Sequence, residues 1–251
     1  MGRVRATLAR QWGQHVQCHL RRPILRTSLL TLFISSNFLM PKCQNSPFAM
    51  HVSLRQGLLE KRARLGPAAG LYLDMGHSMT LIQRGVDLAS VKKGLVEAKV
   101  VLDGLSGTND PSVHASYYRT ASAYHKLEGP PEAFYSNALM YLNYADYDAM
   151  DPATKVEYAA GVSLAALTGE GVYNFGEVVQ LPVLKCLEGT ADEWLMDLMI
   201  SFSTGDVNAF NSTMSRSSEA VRGHPALFSR LERVSEKIKL MALVNMAFER
   251  R

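Results

Sequence analysis

Cysteine is scarce in this sequence and never closely spaced: Cys18, Cys43 and Cys186 stand far apart. That excludes a dense disulfide framework and a zinc site built on paired cysteines, and it fits a reducing compartment. The seven histidines form no HExxH pair or other ligand spacing, and no glycine-rich stretch continues into the Lys-Ser/Thr of a phosphate loop. No alternating apolar and polar segment is long enough for a useful strand, so a sheet is not expected. Long hydrophobic runs are missing as well. The longest candidate, TSLLTLFISSNFLM between Arg26 and Lys42, is short and rich in Ser, Thr and Asn, which argues against a membrane span.

Acidic residues are nearly absent from one part of the chain. In residues 1–65, Glu60 stands against eleven Lys and Arg, a net charge of +10. The remainder carries sixteen basic and twenty-two acidic residues, a net −6, and together these give the overall +4. The basic character therefore belongs to a leader, and the acid-rich body offers no case for nucleic-acid binding. The leader, with Arg3, Arg5, Arg10, Arg21, Arg22 and Arg26, has the composition of an organelle transit peptide or signal anchor. A poorly ordered extension is the reading preferred over it. The domain boundary is placed at 65/66.

What is present is helical periodicity. The chain has 251 residues, 47% of them hydrophobic, enough to bury a sizeable core. Leu88, Val91, Leu95, Ala98, Leu102 and Leu105 recur at steps of three and four and predict one helix with an inward stripe. A break at GTND is followed by Asp110-Pro111, and the same pair returns at Asp151-Pro152. Each reads as an Asp cap with Pro at the first helical position, where the missing N–H costs nothing. Between them, Gly129-Pro130-Pro131 hinges two helices. Tyr117, Tyr124 and Ala133 match part of the tetratricopeptide spacing, in which rings of one helix meet a small residue of the next. The stretch KVEYAAGVSLAAL carries small residues that permit close helix approach. Thr190-Ala191-Asp192-Glu193 fits a capping box, Gly205 a helix end, and Asp206 the next cap. A last pattern places Leu227, Leu231, Val234, Ile238, Met241 and Phe248 on one side, with Glu232, Glu236, Lys237 and Lys239 on the rest. This predicts an exposed apolar face and a helix still running where the sequence stops. The expected body is all-α, stacked helical pairs forming a solenoid.

Candidates for chemistry are each outweighed by a structural reading. His114 and His125 could share a helix face, but no carboxylate or Cys completes a metal site. Cys186 could be activated by Lys185, yet an inert buried thiol is commoner. Asp146, Asp148 and Asp151 lack the spacing of a calcium loop and read as solvated turn residues. Tyr117, Tyr118, Tyr124, Tyr135, Tyr141 and Tyr144 could form a recognition groove, but at helical spacing they read first as packing. The four glycines of GEGVYNFGEVVQLPVLKCLEG (residues 169–189) suggest a phosphate loop. Without a preceding strand or the Lys-Ser/Thr they read instead as helix punctuation. Gly169 and Gly171 would end one helix in the left-handed conformation. Asn174 would cap a short helix, Pro182 would interrupt or restart it, and Gly189 would close it. Tyr173 and Phe175 would pin the turn into the core.

These same residues carry a resemblance. DPSVHASYYRTASAYHK, AFYSNALMYLNY, the block from Thr168 to Glu177 containing Tyr173-Asn174-Phe175-Gly176-Glu177, and Pro182, Leu187, Gly189 and Thr190 resemble one family. Trp194 and Gly205-Asp206 follow in register. The family is that of 26S proteasome non-ATPase regulatory subunit 13, helical-repeat proteins with a PCI domain in the lid of the regulatory particle. Thr168 stands where the family has Leu, and Gly171 where it has a larger residue. The resemblance runs from about Leu71 to Arg251 and leaves residues 1–65 outside it. It implies a right-handed solenoid of tetratricopeptide-like hairpins, the helical half of a PCI module without its winged helix. It further implies a non-catalytic scaffold in ubiquitin-dependent protein degradation, in cytoplasm and nucleus, with other lid subunits as partners. Neither cofactor, metal, nucleic acid, small-molecule substrate nor stable membrane insertion is expected. The alternatives are a PCI-type scaffold of the COP9 signalosome or a translation-initiation complex, and an organelle-targeted helical adaptor.

Overall fold

The computed structural model describes residues 66–105 and 110–249, with the side chains of 248 and 249 left aside. The basic leader, Cys18, Cys43, the first three residues of GTND and the Phe248 side chain lie outside the described residues. Contacts divide the chain into Met1–Leu73 and Asp74–Arg251. Of the first unit, only the start of helix α1 (Pro67–Arg84) is described.

In the second unit the elements follow one another as helices. Helix α2 (Leu88–Gly104) buries Val91, Leu95, Ala98 and Leu102, the predicted stripe, while Leu88 and Leu105 at its ends are half-buried. Helix α3 (Pro111–Glu128) starts as the sequence predicts: the Asp110 carboxylate accepts from the backbone N–H of Ser112 at 3.0 Å. Thr120 on α3 donates from Oγ1 to the carbonyl of Met75 at 3.3 Å, a cross-link to α1. Gly129 and Pro130 then turn the chain into α4 (Pro131–Tyr144), which packs along α3. Tyr117 and Tyr124 are buried and Ala133 is half-buried.

Helix α5 (Pro152–Thr168) also begins at the predicted residue, but its cap differs. Asp151 occupies the N-cap position without a side-chain bond to the helix, and its carbonyl accepts from Lys155 N at 3.0 Å. Pro152 sets the backbone there, so the start does not depend on the carboxylate. The small residues of α5 do what their size allows. Ala159, Ser163 and Ala166 are fully buried, and a Cβ at Gly161 would lie 3.0 Å from Cζ of Phe134 on α4.

After α5 come α6 (Phe175–Gln180), a 3₁₀ turn (Pro182–Leu187), α7 (Glu193–Thr204) and α8 (Val207–Arg216). The short α9 (Ser218–Arg222) and α10 (Pro225–Phe228) lead to α11 (Leu231–Glu249). Asp206 caps α8 as predicted, accepting from Asn208 N at 2.9 Å and Ala209 N at 3.0 Å. Phe175, Phe202 and Phe210 join α6, α7 and α8 through ring contacts at 4.6 and 5.6 Å. Every regular element among the described residues is helical, and most packing is between near neighbours in sequence, the pattern of an all-α solenoid.

The last helix departs from its sequence reading in two ways. Leu227 is fully buried but belongs to the separate α10, with Leu231 opening α11. The stripe of Val234 and Ile238 is buried within this chain's own core, so it is not the exposed face. Among the described residues, the large apolar side chains left outward on α11 are Leu240, Leu243, Val244 and Met246, from its C-terminal half.

Candidate functional site

The glycine-rich block lies at the C-terminal end of α5, and its glycines serve different ends. Gly171 and Gly189 have φ of 74° and 73°, left-handed positions that favour glycine. Gly169 does not: its φ is −71°, an ordinary value, contrary to the left-handed ending expected of it. Space is the reason for glycine there. A Cβ would stand 2.7 Å from the Ala165 carbonyl oxygen and 3.4 Å from the backbone nitrogen of Glu132 at the start of α4.

The residues on which the resemblance was read follow, placed by α6 and the 3₁₀ turn. Phe175 is fully buried, as expected, but Tyr173 is 46% exposed and does not enter the core. Asn174 precedes α6 without capping its backbone, and its Nδ2 donates instead to Glu177 Oε2 at 2.8 Å. That bond holds the Glu177 carboxylate in the first turn, where the helix dipole favours negative charge. Gly176 meets no neighbour that would forbid a Cβ. Pro182 opens the 3₁₀ turn. The expected capping box is shifted: Thr190 Oγ1 accepts from Asp192 N at 3.3 Å, Glu193 reaches back to Gly189 N at 3.3 Å, and α7 starts at Glu193. Trp194 is buried, with its indole 5.7 Å from the His224 ring and its Nε1 without a hydrogen-bond partner. Beside it lies a cleft of about 710 Å³, where Arg216 pairs with Asp197.

A feature the sequence reading missed occupies the centre of the block. Lys237, assigned by its charge to the outer face of the last helix, is buried. Its Nζ donates to the carbonyls of Ala166 at 2.7 Å and Gly169 at 3.0 Å. The ammonium also lies 5.3 Å from the Tyr173 ring centroid and 5.1 Å from that of Phe175. Arg230 Nη1 donates to the Thr168 carbonyl at 2.8 Å, and Arg233 pairs with Glu170. Carbonyls at a helix C-terminus lack intrahelical partners and carry the negative end of the helix dipole, so cations are the natural complement. Burial pushes Lys237 down to about 8, which leaves it largely protonated at neutral pH. The block is thus a socket for a cation from its own chain. The spacing held the signal, since Lys237 is three residues after Val234 and four before Met241, on the same face as both.

The remaining candidates are not brought together. His114 stacks on Tyr144 at 4.8 Å, whereas His125 lies against Tyr124, with its Nδ1 buried and unpartnered. Tyr117, Tyr124, Tyr135 and Tyr141 are buried packing residues, while Tyr118 and Tyr144 are half-buried and stacked at 5.8 Å. Cys186 is half-buried, and its Sγ lies 3.2 Å from the Tyr147 hydroxyl. Asp146 Oδ1 accepts from Asp148 N and Ala149 N, the bonding of a turn residue. Among the described residues no group of three or more His, Cys, Asp or Glu could hold a metal ion, and no helix is long and apolar enough to cross a membrane.

Comparison with known proteins gives the block its context. The family profile described as PSD13 N-terminal repeats matches residues 46–199. The match begins inside the segment read as a leader, so the likeness reaches further toward the N-terminus than the motifs indicated. The chain is 33% identical over 204 residues to 26S proteasome non-ATPase regulatory subunit 13 homolog B of Arabidopsis thaliana, covering 79% of this chain and 52% of that protein. It is 34% identical over 161 residues to 26S proteasome non-ATPase regulatory subunit 13 of Dictyostelium discoideum, covering 64% and 42%. The 26S proteasome regulatory subunit RPN9 of Saccharomyces cerevisiae is 28% identical over 171 residues, covering 63% and 42%. The chain spans about half the length of the curated relatives it matches.

Proposed function

The chain belongs to the family of PSD13 N-terminal repeats, and on that footing we propose that it is a non-catalytic structural subunit of the lid of the 26S proteasome regulatory particle. In this role it supports proteasome assembly and ubiquitin-dependent protein degradation, in cytoplasm and nucleus, by binding other lid subunits. Residues 66–251 form the helical-repeat module and residues 1–65 its basic leader. The observation that carries the reading is the alignment with regulatory subunits named non-ATPase, which covers 79% and 64% of the chain. The helical solenoid agrees with it, because stacked repeats offer extended surfaces for partners. The outward row of Leu240, Leu243, Val244 and Met246 is an apolar surface of the kind that partner subunits cover.

Affinity purification of the tagged full chain tests this. Recovery of lid subunits is the expected outcome. Recovery of signalosome or initiation-complex subunits without them would overturn it in favour of a related scaffold. A fluorescent fusion of residues 1–65 tests the targeted-adaptor alternative: diffuse fluorescence is expected, and concentration in an organelle would support the alternative.

A further inference from the structure

Three cationic side chains from α11 and the turn before it converge on the end of α5, and two of them meet backbone rather than carboxylate. Arg230 takes the Thr168 carbonyl, and Lys237 takes those of Ala166 and Gly169. The two cations are seven residues apart, about two turns, so they grip from one side of the helix start. Arg233 adds an exposed pair with Glu170, which contributes little by itself. Lys237 differs because it is buried: without it, two carbonyls facing α11 lose their donor, and Tyr173 and Phe175 cover an empty space.

The rest of α11 is less firmly tied. Val234 and Ile238 are buried in its first half, whereas Leu240, Leu243, Val244 and Met246 are exposed in its second. There the hold includes Met241, partly buried against the core, the close approach of Ala242 to Gly205 and a 3.2 Å bond from Asn245 Nδ2 to the Ser203 carbonyl. We propose that Lys237 and Arg230 form a latch that docks α11 on the C-terminal carbonyls of α5, and that α11 opens as one unit, ahead of the rest of the fold, when the latch is removed. The glycine block is then the receptor half of a conformational device. A neutral amine at Lys237 still has protons to donate to both carbonyls, so the latch is not a proton switch. The inference concerns the chain alone and does not depend on assembly into a proteasome.

Hydrogen exchange read by mass spectrometry on the full chain tests it. In Lys237→Met, amides of residues 231–249 exchange roughly tenfold faster or more, while those of α3 and α4 keep their wild-type rates. Arg230→Met alters a half-exposed position with little risk to folding and gives the same local pattern at smaller size. It decides the matter if Lys237→Met does not fold. Unchanged exchange in residues 231–249, or acceleration spread evenly over residues 111–249, in the variant that folds would overturn the latch.

Discussion

Phe175 has no exposed surface and meets Phe202 at 4.6 Å, whereas Tyr173, two residues earlier, is 46% exposed. Phe175→Ala therefore leaves a cavity in the core and costs about 3–5 kcal/mol, read as a lowered urea midpoint. Tyr173→Ala removes little buried area and costs about 1 kcal/mol or less. Equal losses would contradict the division of labour inside the glycine-rich block. His125 offers a pH test. Burial first, and the Lys92 charge second, pushes it below its ordinary 6.5. The unfolded chain then takes up a proton before the folded chain does. This contribution to stability is complete above about pH 6.5 and is lost as pH falls through the folded value. His125→Leu should flatten the fall of the urea midpoint on acidification. An unchanged slope would remove His125 from the acid response.

At the scale of elements, Gly171 and Gly205 share a left-handed backbone but not a neighbourhood. Gly171 has open space around it, while a Cβ at Gly205 would stand 2.9 Å from Cα of Ala242 on α11. Gly171→Ala should cost about 1–2 kcal/mol from backbone conformation alone. Gly205→Ala adds a clash that pushes α11 from α7, so its thermal midpoint should fall further. A smaller loss at Gly205 would show that α11 shifts freely. The helix starts at Asp110-Pro111 and Asp206, the stripe of α2 and the hinge at Gly129 were all legible in the sequence, because each rests on local spacing or local bonds. Asp151 and Asn174 looked like caps, but whether a polar side chain turns to its own backbone depends on competing partners, as Glu177 shows for Asn174. Lys237 was misplaced because its charge outweighed its position, and the carbonyls that compensate its burial lie 71 and 68 residues away.

For the whole molecule, fold class and family were readable before the site was. Helical periodicity recurs throughout the body, and the Tyr173–Glu177 block on which the resemblance was read lies inside the stretch the family profile matches. What that block does was hidden, since a glycine-rich run has no periodicity and its partner is a distant helix. The outward row on α11 predicts that the isolated full chain self-associates as concentration rises, and that Leu243→Lys shifts it toward monomer in light scattering. A monomeric wild-type chain at all concentrations would contradict this. The central claim, membership of the proteasome regulatory particle, is tested most directly by glycerol-gradient sedimentation of a lysate containing the tagged full chain. The account predicts that the tag peaks with the peptidase activity of the 26S particle. A tag that sediments wholly apart from that activity and from free lid complexes would contradict it.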